Sequence, residues 1–99
     1  IPPNYGDGEV QSWTDGLNRL KQVQPGWEQL KSQTQIYNQY KTDVDRINAI
    51  ITTRISRMEQ IVKRMQANEW FTEEEKRWVA EDATLGEEQT SLSDKLNNL

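Results

Sequence analysis

The sequence predicts an all-α protein, an elongated antiparallel helical hairpin or coiled coil built from three helices. Three observations predict it. One apolar position repeats every seven residues from Leu30 through Tyr37, Val44, Ile51 and Met58 to Met65. No glycine or proline occurs between Trp27 and Ala67. A second line at the same spacing runs through Trp78, Leu85, Leu92 and Leu99.

The opening segment, IPPNYGDG (1–8), is expected to be an extended arm, because two prolines and two glycines disfavour a helix there. It is read either as a loose arm or as one that docks Ile1, Pro2, Pro3 and Tyr5 on a neighbouring subunit. The rest of the chain, 9–99, is expected to form one helical domain.

A short first helix is expected over about 9–22, where Val10, Trp13, Leu17 and Leu20 recur at helical steps. Asp7, or Ser12 with Asp15, supplies a start. Gln24-Pro25-Gly26 is expected to end it, since Pro25 suits the first turn of a new helix. A long central helix then spans about 26–67, which at 1.5 Å per residue is about 63 Å. The neighbouring heptad line (Thr34, Lys41, Asn48, Ile55, Val62) is polar at its start and apolar at its end. Lys41 and Asn48 would either set the register with a partner or face water.

NEWFTEEEKRW (68–78) is most economically a helix start. Thr72 and Glu75 have capping-box spacing, and three glutamates in a first turn suit the helix dipole. Consecutive helical residues diverge by about 100°, so the three carboxylates do not converge on a metal. A third helix follows over about 73–97. Between Arg46 and Gln66 there are five basic residues and one acid, and from Ala67 onward nine acids and three bases. Arms of opposite sign favour an antiparallel hairpin. The wheel points Arg54 at the third helix and Arg46, Arg57 and Arg64 away from the seam. The attraction is therefore expected to be a general field more than a set of pairs. The expected outcome is a rod mostly two helices thick, the first helix over the N-terminal half of the second and the third over its C-terminal half. A conventional three-helix bundle is the competing arrangement.

Composition narrows the role. The chain has 99 residues, 33% of them hydrophobic, and a mean hydropathy of −0.98. That is little apolar material for a compact globule and suits narrow seams or a partner. The net charge of −4 makes nucleic acid an unexpected partner. With no histidine and no cysteine, the common general base and the thiolate chemistries are missing. No glycine-rich phosphate loop or calcium loop is present. No catalytic residue, cofactor or metal is therefore expected. Membrane insertion is not expected either, for want of a long apolar run.

What is expected is a non-enzymatic structural or interaction subunit that self-associates or packs into a larger assembly. A thin rod would leave Trp13, Trp27, Tyr40, Ile47, Ile50 and Ile61 needing cover, and these are its candidate interface residues. The alternative is an adaptor that docks an anionic partner, phosphates or a membrane surface through Arg46, Arg57 and Arg64. The first residue is Ile1 rather than methionine, which suggests a processed or excised chain and leaves export or a virion location open. Leu99, apolar and uncapped at the last position, suggests that the native chain continues. In general style the sequence resembles helical subunits of envelope-spanning secretion or conjugation machines and of phage particles. Its size and hairpin shape are also similar to small secreted helical hairpins with a Trp-x-Gly turn, although the turn here reads Trp70-Phe71-Thr72, without the glycine.

Overall fold

A computed structural model describes all residues, 1–99. Three helices account for nearly the whole chain: α1 (Asp7–Gln29), α2 (Thr34–Gln66) and α3 (Glu73–Asn97), with one 3-10 turn (Leu30–Ser32) between α1 and α2. There are no strands. The molecule measures 55 × 22 × 18 Å, with a radius of gyration of 15.6 Å. An ordinary domain of this length has a radius near 13 Å, so the predicted elongation is real.

The first break falls later in the chain than the sequence predicts. α1 does not stop at Pro25 but runs through it to Gln29. Proline removes one backbone hydrogen bond and crowds the preceding turn. Pro25 and Lys21, whose carbonyl it leaves without a helical partner, are both exposed residues. Beyond it, Trp27 and Leu30 pack against the core, and that burial carries the helix past the break. The chain turns instead at Gln33, whose φ of −85° and ψ of 90° are extended. The central helix is accordingly 33 residues long rather than about 42. It also bends at Tyr40, where φ is −120° and ψ is 28°. Side chains brace the bend. The Tyr37 hydroxyl donates to Asp45 Oδ1 at 2.6 Å, and Lys41 Nζ donates to Asp45 Oδ2 at 2.7 Å. Lys41 therefore faces water.

Arrangement is the larger difference. α1 and α3 do not divide α2 between them; they flank the same stretch of it. Gly16 of α1 lies beside Met58, and Trp27 beside Asn48. On the α3 side, Glu75 meets Arg64 and Lys95 meets Asp43. The section from Asp43 to Gln66 is thus flanked by both helices, but the backbones of α1 and α3 approach α2 and not each other, so the arrangement is an elongated hairpin with both outer helices laid along the central one, not a conventional bundle.

The core follows from this. Leu17 and Leu20 of α1 meet Val44, Ile47, Ile51, Ile55, Met58 and Val62 of α2, and Leu96 of α3 closes one end. Ile50 and Ile61 are buried on another side of α2, and Ile50 and Leu85 line one open groove between α2 and α3. Asn48 is also buried, at 6% exposure. Its amide donates to the Trp27 carbonyl at 3.0 Å and to the Val44 carbonyl at 2.9 Å. Of the two polar heptad residues, Asn48 alone fixes register, and it does so between α1 and α2 of one chain. Its Oδ1 has no protein partner.

Glycine lowers helix stability by about 1 kcal/mol relative to alanine. At Gly16 a Cβ would meet Met58 Cε at 3.5 Å, an ordinary contact. Gly16→Ala should therefore raise the unfolding free energy by about 1 kcal/mol, read from the urea midpoint at unchanged slope.

Candidate interaction surface at the hairpin end

α2 ends in a Schellman motif. The Asn68 amide bonds the Met65 carbonyl at 3.0 Å, and the Glu69 amide bonds the Arg64 carbonyl at 3.1 Å. The position this motif places in the left-handed region is Asn68, with φ 55°. Such motifs usually add an apolar contact between the residues that Glu69 and Arg64 occupy; here an ion pair of 3.2 Å replaces it.

α3 begins four residues on with the predicted capping box. The Thr72 hydroxyl accepts from the Glu75 amide at 3.1 Å, and Glu75 Oε1 accepts from the Thr72 amide at 2.8 Å. Glu75 also does what the capping pattern did not reveal. It is fully buried, accepting from Gln60 Nε2 at 3.0 Å and from Arg64 Nε at 3.1 Å. Burial pushes the Glu75 carboxyl up, but the hydrogen bonds from Thr72, Gln60 and Arg64 and the Arg64 charge outweigh it and hold it below the usual range. One carboxylate thus ties the start of α3 to the last turns of α2. Glu73 pairs with Lys76 at 3.0 Å, not with Arg77 as i,i+4 spacing suggests.

The N-terminal arm completes this end. In the single chain it does not hang free; it lies across the α2–α3 turn. The Asn4 amide donates to Asn68 Oδ1 at 2.8 Å, and Asn68 Nδ2 donates to Asn4 Oδ1 at 3.1 Å. The Tyr5 hydroxyl donates to the Glu69 carbonyl at 2.7 Å, and the Trp70 indole N–H to the Ile1 carbonyl at 2.7 Å. Tyr5 and Phe71 stack obliquely, with ring centroids 5.2 Å apart. Burial first, and then Glu9 and Glu75, push the Tyr5 phenol up. Trp70, in the same turn, is 64% exposed. Phe71 and Tyr5 fill the turn, and Trp70 stands on its outer side beside the fully exposed Ile1.

The residues that the sequence offers to partners lie elsewhere. Ile47, Ile50 and Ile61 are at most 1% exposed. Their expected need for a partner came from counting two helices around α2, and α1 and α3 together supply the cover. Trp13, Trp27 and Tyr40 are partly buried against the core. At the far end Val23, Trp27, Leu30 and Leu96, with Gln22, Gly26 and Asn97, line a shallow groove of mixed polarity, about 390 Å³. The basic residues are also engaged. Arg46 holds Glu88 through two bonds of 2.6 and 2.7 Å. Arg57 meets Glu81 at 2.7 Å and lies over the Trp78 ring, and Arg64 holds Glu69 and Glu75. Arg54 reaches Asp82 at 2.9 and 3.0 Å and Gln89 at 2.8 Å. The attraction between α2 and α3 is therefore a ladder of specific pairs, not only a field. Long arginine side chains reach around the helix to α3, a reach that an angular projection leaves out.

No three His, Cys, Asp or Glu side chains are grouped to hold a metal ion, and no helix is long and apolar enough to cross a membrane. The chain matches no family model, no curated protein and no solved structure.

Glu75→Ala should cost about 1–3 kcal/mol, since it removes one half of the capping box and leaves the Thr72 amide and Gln60 without their acceptor, while Arg64 keeps only Glu69. Chemical denaturation measures it. Hydrogen bonds from Arg46 hold Glu88 below the usual carboxyl range, and those from Lys41 and Tyr37 do the same for Asp45. With Glu75, the folded chain has three carboxyls that bind protons less readily than the unfolded chain does. The stability they contribute is complete above the ordinary carboxylate range, roughly pH 4, and is lost as pH falls through the lowered values. Stability measured against pH should fall on the acid side, and Glu75→Gln should flatten that limb.

Proposed function

We propose that this protein is a non-enzymatic structural or interaction subunit that self-associates or packs into a larger assembly, with the hairpin end as its contact surface. The observation that carries this reading is the setting of Trp70, a large aromatic 64% exposed yet held by its indole N–H to the Ile1 carbonyl. While the arm is docked this bond restrains the ring, so it has less side-chain freedom to lose on binding, and tryptophan is among the residues that dominate interface energetics. Ile1 beside it extends the apolar patch.

Supporting this reading, the surface depressions are open and, apart from the groove at the far end, lined chiefly by charged and polar residues, unlike the enclosed apolar pockets that small substrates use. The anionic-partner alternative is less well supported. Arg46, Arg57 and Arg64 each hold an acid of α3 or of the turn, so an anion would first have to displace a carboxylate.

Trp70→Ala tests the reading. The wild-type chain should show a mass above that of one copy in light scattering as concentration rises from micromolar to millimolar. The variant should stay monomeric with unchanged helicity. Association that is indifferent to Trp70 would move the contact surface away from this end.

A further inference from the structure

The arm and the turn that receives it are connected in a way that does not require them to belong to the same copy. The receiving turn is fixed by its own Schellman motif and capping box, neither of which uses the arm. The arm contributes the other half of the contact: the Asn4 amide and side chain, the Tyr5 ring and hydroxyl, and the Ile1 carbonyl. Between arm and α1 stands Gly6, extended at φ −66° and ψ 145°, with Gly8 just inside the helix. A Cβ at either would meet nothing within 4 Å. The Gly6 carbonyl anchors the first turn of α1, while the open space beside both glycines leaves the chain before it room to turn.

Several features make the docked arm easy to lift. The hydrogen bonds that hold it are exposed, so water can replace them one by one. Asn4 sits in the left-handed region, with φ 54°, a cost that release removes. Ile1 and Pro2 are exposed even when docked.

We infer that the turn at Asn68–Phe71 is a docking site for a second copy's arm, the two chains exchanging residues 1–5 so that each Tyr5 stacks on the other's Phe71. Exchange of an identical element conserves every contact and needs only a junction that can redirect the chain. The pair is isologous and joins the molecules at their hairpin ends. Five residues span about 17 Å, so the two ends must lie close together. Exposed Asp7, Glu9, Glu73 and Glu74 then face one another across the pair. Their repulsion opposes the pair at low salt and is screened as salt rises.

This inference rests on the interaction reading and names the partner. Isotope-filtered NMR on an equal mixture of labelled and unlabelled wild-type chains tests both without substitution, alongside the solution mass. Exchange predicts a dimer whose Tyr5–Phe71 ring contacts cross between labelled and unlabelled chains. It also predicts that the dimer fraction rises with added salt and falls severalfold in Tyr5→Ala. Association with Tyr5–Phe71 contacts confined to one chain would overturn arm exchange and leave the interaction reading standing. A strict monomer at millimolar concentration in high salt would overturn arm exchange and self-association together.

Discussion

Burial of one helix by two others is the constraint on which the rest of this structure depends. α2 contributes ten of the fourteen buried residues, whereas α1 and α3 contribute two each. A chain with so little apolar material cannot give every helix a core-facing stripe. It concentrates its isoleucines in one helix and spends the other two covering it. At about 25 cal/mol per Å² of apolar surface removed from water, most of the hydrophobic stabilisation comes from α2 residues. The elongated shape follows, because the core can be no wider than one helix and its neighbours.

The two covering helices are held by different forces. α1 is held by packing: Leu17 and Leu20 are buried, and Trp13 and Trp27 lie against the same cluster. Asn48 sets its register by bonding the Trp27 carbonyl. α3 buries little of itself and is aligned largely by charge. Its two buried residues, Glu75 and Leu96, sit near its ends. Between them Trp78, Leu85 and Leu92 are only half-buried, and the pairs of Arg46, Arg54 and Arg57 fill the interval. Exposed ion pairs contribute about 0–1 kcal/mol each, so this ladder fixes register more than it adds stability. Arg54 with Asp82 is the strongest rung, with both side chains less than a fifth exposed and bonded through two atoms.

The hairpin end gathers the polar design of the molecule. Glu75 joins α3 to α2, and Asn68 serves both the Schellman turn and the arm. Five residues that contribute nothing to the helical core are held there by hydrogen bonds and one aromatic pair. An element attached so lightly, beside a tryptophan held outward, suits recognition better than stability. That contrast with the isoleucine-lined middle supports an interaction role at this end.

The sequence by itself determined the helix content, the elongated hairpin, the start of α3 at the Thr72–Glu75 box and the opposite signs of its two arms. These are encoded locally, in seven-residue periodicity, capping spacing and charge runs, and each acts over a few turns of helix. Tertiary structure alone decided how many helices surround α2. It carried α1 past Pro25, because burial of Trp27 and Leu30 outweighs one lost hydrogen bond on a wet face, and it put the break at Gln33, where no glycine or proline marks it. It turned Ile47, Ile50 and Ile61 from candidate contacts into core, and it gave Arg46, Arg57 and Arg64 acids of their own chain. The arm on the turn was the least legible feature. Asn4 and Asn68 stand sixty-four positions apart, and nothing in the spacing of two asparagines shows that folding brings them together.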